Sequence, residues 1–365
     1  MSEHAPPGSQ SSRLCHAPAR RRCLRAHPIQ PDPSTRQLPV RPRRPSTGRR
    51  NIMRVSCVLA PTLESPEHIV VAEQLGYERA WLFDTPQQSP DIWMTLGRAA
   101  ELTNTIGIGP GVLVPSLRHP MSAAAATATL ASRAPGRVAV AFGTGFTGRS
   151  AMGQKGLSWS AVAAYVRAYR GLIRGETVLW EGAPMKMFNS PDHLDRAAAD
   201  VPILISAFGP KGEQVTKDLG VDGIMAFGQV PAAMKDFAWG SLFVGGTVLE
   251  GDESIDSDRV KEAAGPAWSV VYHIGMDFMG GLDAVRAMPG GEAWVAQIEK
   301  TPESERHFAV HDGHLMYLNE ADEAAWDAGG HAMLKDVTLT GSPEEIRERV
   351  AAYAEQGVTE LGFQP

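Results

Sequence analysis

Two short glycine-containing segments follow apolar runs that are typical of buried strands. Gly143-Thr144-Gly145 comes directly after the run 138–142, and Ala207-Phe208-Gly209-Pro210 comes directly after the run 202–206. Small residues expose backbone N–H groups to an anion, Thr144 adds a hydroxyl, and a helix beginning at Lys211 would present unpaired amides. Either segment could instead be an ordinary turn. We expect both to contact a ligand, because α/β folds bind ligands at the carboxyl ends of parallel strands.

An acidic side chain occupies a similar position. Asp84 ends the predicted strand 80–83, where a carboxylate could hydrogen-bond a substrate and act in catalysis. The competing interpretation is structural, as an N-cap or as an ion pair with Arg79 or Arg98. The residues alone leave both interpretations open.

His273 and the run 306–314 form the densest group of histidines in the chain. His307, His311 and His314 have the i, i+4, i+7 spacing of one helical face. We take His311 and His314 as catalytic candidates, because a histidine can donate to a carbonyl or transfer a proton. A solvated loop is the alternative. We expect no metal site, because Gly313 weakens the helix and the segment lacks the carboxylate–histidine pattern of known zinc sites.

The elements that position these residues alternate regularly from Met53 onward. About eight strand–helix units in roughly 300 residues favour a (β/α)8 TIM barrel, an α/β fold, over an open doubly wound sheet. The segment 231–336 is the least regular, so we expect an irregular insertion before the last strand, in which 257–279 is mostly helical. The predicted strands are 54–60, 80–83, 106–114, 138–142, 202–206, 223–227, 241–249 and 358–363.

The first 52 residues differ in composition from the remainder. They are rich in arginine and proline, contain no lysine, and have only Glu3 and Asp32 as acids. Such a segment cannot bury enough apolar surface to offset its ordering entropy. We therefore predict that 1–52 is a disordered extension rather than a targeting or anion-binding arm, with Met53 as the natural start of a barrel domain spanning 53–365.

Bulk composition excludes several classes of function. The chain has 365 residues, 43% of them hydrophobic, and a net charge of −6. That charge argues against nucleic-acid binding, and no apolar run approaches the length of a membrane span. Cys15, Cys23 and Cys57 form no metal-binding spacing, which favours a cytoplasmic protein.

Three segments in order resemble the bacterial luciferase-like superfamily, most of all its branch of methylenetetrahydromethanopterin reductases and other oxidoreductases dependent on the deazaflavin coenzyme F420. No segment is specific alone, but their order and spacing are, and the resemblance extends over 53–365. The segments are Gly111-Val112 with 117–120, Gly136-Arg137 leading into Gly143-Thr144-Gly145, and 202–211 followed by 222–224.

The resemblance implies a function and a cofactor. It implies hydride transfer between F420 and a small organic substrate, by a homodimer that a flavin or F420 reductase supplies with reduced cofactor. An FMN-dependent, two-component monooxygenase is the alternative, and a catalytically silent flavin-binding protein is a third possibility. The resemblance also implies a cis peptide bond between Gly111 and Val112 beneath the ring. It implies that both glycine segments contact the cofactor and that the histidines lie over the substrate mouth.

One position departs from this family pattern. Several F420-dependent dehydrogenases have a proton-donating acid just after the glycine loop, where this chain has Phe146. The departure argues against a sugar-dehydrogenase mechanism and predicts an apolar wall beside the ring. We also expect a bulky residue at Gly145 or Gly209 to abolish cofactor binding while the fold stays intact.

Overall fold

Eight parallel strands form a barrel in the computed structural model, which describes residues 53–188 and 200–364. Hydrogen-bonded neighbours follow the order β3-β2-β1-β10-β9-β8-β7-β4, and a parallel bridge between Ile108 and Val138 joins β3 to β4. The predicted (β/α)8 barrel is confirmed. The strands are β1 Arg54–Leu59, β2 Arg79–Leu82, β3 Gly107–Pro110, β4 Val140–Phe142, β5 Val178–Trp180, β6 Ala183–Met185, β7 Ile203–Ser206, β8 Gly223–Phe227, β9 Trp239–Gly245 and β10 Glu360–Gln364.

Helices connect the strands, and several begin at side chains that cap them. Asp91 accepts hydrogen bonds from the first turn of α2, and Ser342 forms a capping box with Glu345 at the start of α14. The helices are α1 Ser65–Gln74, α2 Ile92–Leu102, α3 Pro120–Arg133, α4 Phe146–Ser150, α5 Trp159–Ile173, α6 Pro210–Leu219, α7 Asp258–Trp268, α8 Val270–Phe278, α9 Leu282–Arg286, α10 Gly291–Ile298, α11 Arg306–His311, α12 Glu320–Asp327, α13 Leu334–Val337 and α14 Pro343–Glu355.

Side chains alternate between two apolar layers. One face of each barrel strand packs on the helices, and the other fills the barrel interior around Trp81, Leu204 and Phe243. Small residues make room for these large ones. A Cβ at Gly109 would lie 1.9 Å from the carbonyl oxygen of Ala139, so only glycine fits at that close approach.

The insertion between β9 and β10 is helical rather than irregular. It contains α7 to α13 and has its own core, which includes Trp268, Tyr272, Trp294 and Trp326. The helical stretch predicted at 257–279 corresponds to α7 and α8. The helices that follow are shorter, so their apolar spacing is interrupted too often for the sequence to show them. The expected insertion before the last strand is present, with a different internal structure.

Two other regions bear on the sequence predictions. The segment 175–200 contains the hairpin β5–β6, and its residues 189–199 lie outside the described residues. The predicted disordered extension 1–52 also lies outside them. Of the helices that are described, none combines the length and the apolar character needed to cross a membrane.

Candidate active site

Three predicted cofactor segments converge at the carboxyl ends of the strands. The peptide bond between Gly111 and Val112, after β3, is cis as the resemblance implied. A Cβ on Gly143, after β4, would lie 2.9 Å from Cγ2 of Val112 and 3.6 Å from Cβ of Ser206 at the end of β7. The backbones therefore approach one another closely because residue 143 has no side chain.

The first glycine segment turns directly into a helix. Gly145 has a φ of +82° and precedes α4, which begins at Phe146. A Cβ at Gly145 would lie 2.5 Å from Cγ1 of Val114. A bulky residue there strains the backbone as well as the packing, so the expectation that the fold would stay intact is wrong for Gly145.

The second segment leaves a helix terminus open. Gly209 is the N-cap of α6, Pro210 begins the helix, and no side chain of the described residues caps it. Ala207 is buried, whereas Phe208 is 57% exposed. Within the part of the chain that the structure describes, no atom would lie within 4 Å of a Cβ at Gly209. The free amides and the open space suit a phosphate or another anion.

Asp84 is engaged by an arginine that the sequence did not suggest as its partner. Its two carboxylate oxygens accept hydrogen bonds of 2.7 and 2.6 Å from Nη1 of Arg118, which also donates to Asp91 through Nη2. The predicted pairs with Arg79 or Arg98 are wrong. Burial raises the pKa of the Asp84 carboxyl, and Arg118 offsets this only in part. The carboxylate, 4% exposed, thus holds the turn after β3 in place.

The histidines meet in a way that the helical spacing did not predict. Helix α11 ends at His311, and a turn at Gly313, which has a φ of +68°, brings His314 back beside His311. His273 on α8 completes a buried group, with its Nδ1 2.6 Å from Nδ1 of His314. His307 is not part of it, so the predicted shared face is wrong.

This histidine cluster, defined as His273, His311 and His314, borders the first glycine segment. Nε2 of His314 lies 3.0 Å from the hydroxyl of Thr147 on α4. Burial lowers the pKa of His311, although Asp277 works against that effect. Burial, together with the neighbouring imidazoles, holds the pKa of His314 well below its usual value. Burial therefore favours the neutral form of both rings.

Apolar side chains cover the barrel mouth beside the cluster. Phe146 lies 4.8 Å from Phe278, centroid to centroid. Leu315 packs in the same apolar group as Phe83, Phe146 and Phe227. Phe146 therefore lies in an apolar surface, and its place beside a cofactor ring stays a prediction.

Sequence reasoning missed the partners of the candidate residues. Asp277 lies 3.2 Å from Nε2 of His311, and Asp322 lies 3.6 Å from Nε2 of His273. The i, i+4 spacing of His273 and Asp277 on one helix would have suggested a different pair, because Asp277 lies beside His311 instead. The observed pairings join residues far apart in the chain, which no local pattern reports.

A model of the luciferase-like monooxygenase family matches residues 56–238, and the chain belongs to this family. It is an oxidoreductase with a luciferase-like barrel. The 5,10-methylenetetrahydromethanopterin reductase of Methanolobus tindarius is 25% identical over 318 residues, 82% of this chain and 90% of the relative.

Two further proteins match a comparable share of the chain. The F420-dependent glucose-6-phosphate dehydrogenase of Nakamurella multipartita is 28% identical over 309 residues, 80% of this chain and 84% of that protein. The solved structure of the coenzyme F420 dependent tetrahydromethanopterin reductase from Methanopyrus kandleri has a TM-score of 0.63. It is 18% identical, covers 86% of this chain and 93% of its own, and shares the fold.

Proposed function

We propose that this protein transfers a hydride between coenzyme F420 and a small organic substrate. The observation that carries the proposal is the convergence of Gly111-Val112, Gly143 and Ser206 at one end of the barrel. The Nakamurella multipartita dehydrogenase described above supports F420 as the cofactor, because its name specifies that coenzyme.

The residues around this point fit an anionic, planar cofactor. The backbone at Gly111-Val112 would support the ring, and Gly143-Thr144-Gly145 would line its side chain. The segment Ala207-Phe208-Gly209-Pro210 and the free N-terminus of α6 would hold a phosphate. When bound, F420 would supply a ring that accepts or donates a hydride.

The remaining residues act on the substrate side. Phe146 and Leu315 exclude water, and positioning of the substrate against the ring would supply most of the rate. His311 and His314 would hold or accept the proton at the polar end of the substrate. Asp84 is a positioning residue in this proposal, because Arg118 occupies its carboxylate.

A second candidate function is FMN-dependent monooxygenation with a partner reductase. The apolar wall at Phe146 favours it, because that wall takes the place of a proton-donating acid and keeps water away. The family model, which is named for monooxygenases, supports it as well.

The family resemblance supports the proposed assembly, and the cysteine spacing supports the proposed location. We propose a cytoplasmic homodimer that receives reduced cofactor from a separate reductase. Light scattering coupled to size exclusion would give the mass in solution, and a monomeric mass would contradict the dimer.

Parallel titration of the apoprotein with F420 and with FMN tests the cofactor assignment. We expect saturable binding of F420 at lower concentration than FMN, and loss of that binding in Gly209→Leu. Gly209 has extended backbone and open space around it, so this variant should fold normally. Intrinsic fluorescence would report binding, and circular dichroism would report folding.

Gly97→Leu is the matched control, because a Cβ at Gly97 on α2 would likewise have no atom of the described residues within 4 Å. This control should bind F420 like the wild type. Tighter binding of FMN would favour the second function. Undiminished F420 binding by Gly209→Leu would remove the second glycine segment from the site.

A further inference from the structure

Each ring of the histidine cluster has its Nε2 atom nearest to an oxygen outside the cluster. Nε2 of His314 faces the Thr147 hydroxyl at 3.0 Å, Nε2 of His311 faces Asp277 at 3.2 Å, and Nε2 of His273 faces Asp322 at 3.6 Å. Among the described residues, only Nε2 of His314 makes a hydrogen bond to its outer oxygen, whereas Nε2 of His311 and Nε2 of His273 are buried without a hydrogen-bond partner. The outer oxygens favour the proton on Nε2 of each ring, which leaves a lone pair on the inner nitrogen, Nδ1.

Those inner nitrogens cannot satisfy one another. The Nδ1 atoms of His273 and His314 can share one proton across 2.6 Å, but Nδ1 of His311 is buried without a hydrogen-bond partner among the described residues. Buried polar atoms normally have partners, so an unpaired one calls for an additional group. The three histidines are 0%, 4% and 3% exposed, so bulk water does not provide that group.

The charges around the cluster also indicate an additional group, and a positively charged one. Asp322 is 1% exposed and accepts a hydrogen bond from Nε1 of Trp294. Within the described ranges, the ion pairs of Asp322 and Asp277 are those with His273 and His311. Two carboxylates thus face the cluster without a lysine or arginine partner among the described residues, and a bound cation would offset their negative charge.

The geometry points to a divalent transition-metal site formed by His273, His311 and His314. One ring nitrogen of each histidine lies within 4.8 Å of the other two. Tetrahedral zinc, with Zn–N bonds of about 2.0–2.1 Å, places its ligand nitrogens roughly 3.4 Å apart. The cluster spans this value, from 2.6 Å between two Nδ1 atoms to 4.8 Å at most.

The donor set also indicates the kind of metal. Imidazole nitrogens suit Zn²⁺, Ni²⁺ or Cu²⁺ rather than Mg²⁺ or Ca²⁺, which prefer oxygen ligands. Outer carboxylates that fix the orientation of ligating histidines are the usual second layer of such sites, and Asp277 and Asp322 lie in those places. Three protein ligands leave a fourth position open.

This inference goes beyond the proposed function and requires neither F420 nor substrate. A bound cation would occupy nitrogens to which the proposed function assigns a proton. Metal-loaded and chelator-treated enzyme would therefore be assayed separately, so that failure of the metal site and failure of the hydride transfer are distinguishable.

Calorimetric titration of the full chain with Zn²⁺, without an added histidine tag and after chelator treatment, tests the site. We expect the wild type to bind one equivalent of Zn²⁺ tightly. His311→Gln and His314→Gln should bind Zn²⁺ more weakly by at least on the order of 100-fold. His307→Gln is the matched control, because it removes an imidazole of the same helix outside the cluster. If the metal bound elsewhere in the chain, the wild type and all variants would bind it with the same affinity.

Asp277→Asn keeps all three imidazoles and should weaken binding about 10- to 100-fold, as expected for an outer carboxylate. It keeps the test decisive if a histidine variant does not fold, which circular dichroism would show. The proposal is overturned if the wild type binds no tight equivalent. It is also overturned if folded His311→Gln and His314→Gln retain that equivalent, or if Asp277→Asn binds Zn²⁺ like the wild type.

Discussion

Glu360 is a buried carboxylate that links four strands of the barrel. It is fully buried at the start of β10, where it accepts hydrogen bonds from Ser56 at 2.6 Å, Trp81 at 2.7 Å and Trp239 at 2.5 Å. Nη2 of Arg54 lies 3.7 Å away. Three donors from three strands therefore converge on one side chain, which links β1, β2 and β9 to β10.

We expect Glu360→Gln to lower the free energy of unfolding by about 3 kcal/mol, because a buried charged acceptor is replaced by an amide whose NH2 group faces donors. Urea denaturation followed by circular dichroism would measure the loss. Glu355→Gln, at an exposed position on α14, is the control and should change stability by less than about 0.5 kcal/mol. A Glu360→Gln protein as stable as this control would contradict the assigned role.

For individual residues, the local sequence pattern predicted the positions that depend on backbone conformation. It missed the side chains whose role depends on a partner far away in the chain. Gly143 and Gly209 were identifiable because each follows an apolar strand and brings small residues to its end. The partner of Asp84 was not, because Arg118 lies 34 positions away. The histidine cluster was only half predicted, since the spacing indicated a helical face through His307, whereas a turn at Gly313 brings His314 beside His311 and leaves His307 out.

Glu73 joins two elements in a way that depends on pH. From the last turn of α1, its Oε1 accepts hydrogen bonds from backbone N–H groups of Asn104, Thr105 and Ile106, just before β3. Burial alone would raise the pKa of Glu73, but the hydrogen bonds from Ile106, Thr105 and Asn104 outweigh it and lower the pKa to about 2.

The lowered pKa sets the direction of the pH dependence. A carboxyl whose pKa is lower in the folded state stabilises the fold above its unfolded pKa of 4.5, and that stabilisation disappears as pH falls towards 2. We expect Glu73→Gln to cost about 1 kcal/mol at pH 7, after discounting for solvent screening at this partly exposed site. The cost should shrink between pH 4.5 and 2.

Chemical denaturation of the wild type and Glu73→Gln at several pH values would measure this difference. Glu67→Gln, on the exposed side of α1, is the control. A cost for Glu73→Gln that stayed constant from neutral pH down to about pH 2 would show that shape rather than charge is responsible.

Among the elements, the barrel was predictable and the insertion was not. Strands such as Ile203–Ser206 and Gly223–Phe227 are buried on both faces, so they appear as continuous apolar runs between polar turns. Helices of the insertion such as Leu282–Arg286 and Arg306–His311 span one or two turns, too few for a helical period to emerge. Their stability comes from the core that they share, which the sequence does not reveal.

In the whole molecule, the insertion closes the mouth of the barrel through Leu315. This residue has a φ of +61° and is 9% exposed. Its carbonyl accepts a hydrogen bond from Gln364 at the end of β10, and the carbonyl of His314 accepts one from Gln88 after β2. Two barrel elements thus hold the segment over the proposed substrate space, where the Leu315 side chain fills volume beside Phe83 and Phe146.

We expect Leu315→Ala to enlarge this space and to shift catalytic preference towards bulkier substrates, at a cost of about 2 kcal/mol in stability. Oxidation of reduced F420 across carbonyl compounds of increasing chain length, compared as kcat/KM, would measure the shift. Leu318→Ala is the matched control, because Leu318 packs in the insertion core against Gly265. It should lower stability similarly without changing the preference. An unchanged ranking of substrates in Leu315→Ala would show that the mouth lies elsewhere, because truncating the side chain that covers it would then have had no effect on what enters.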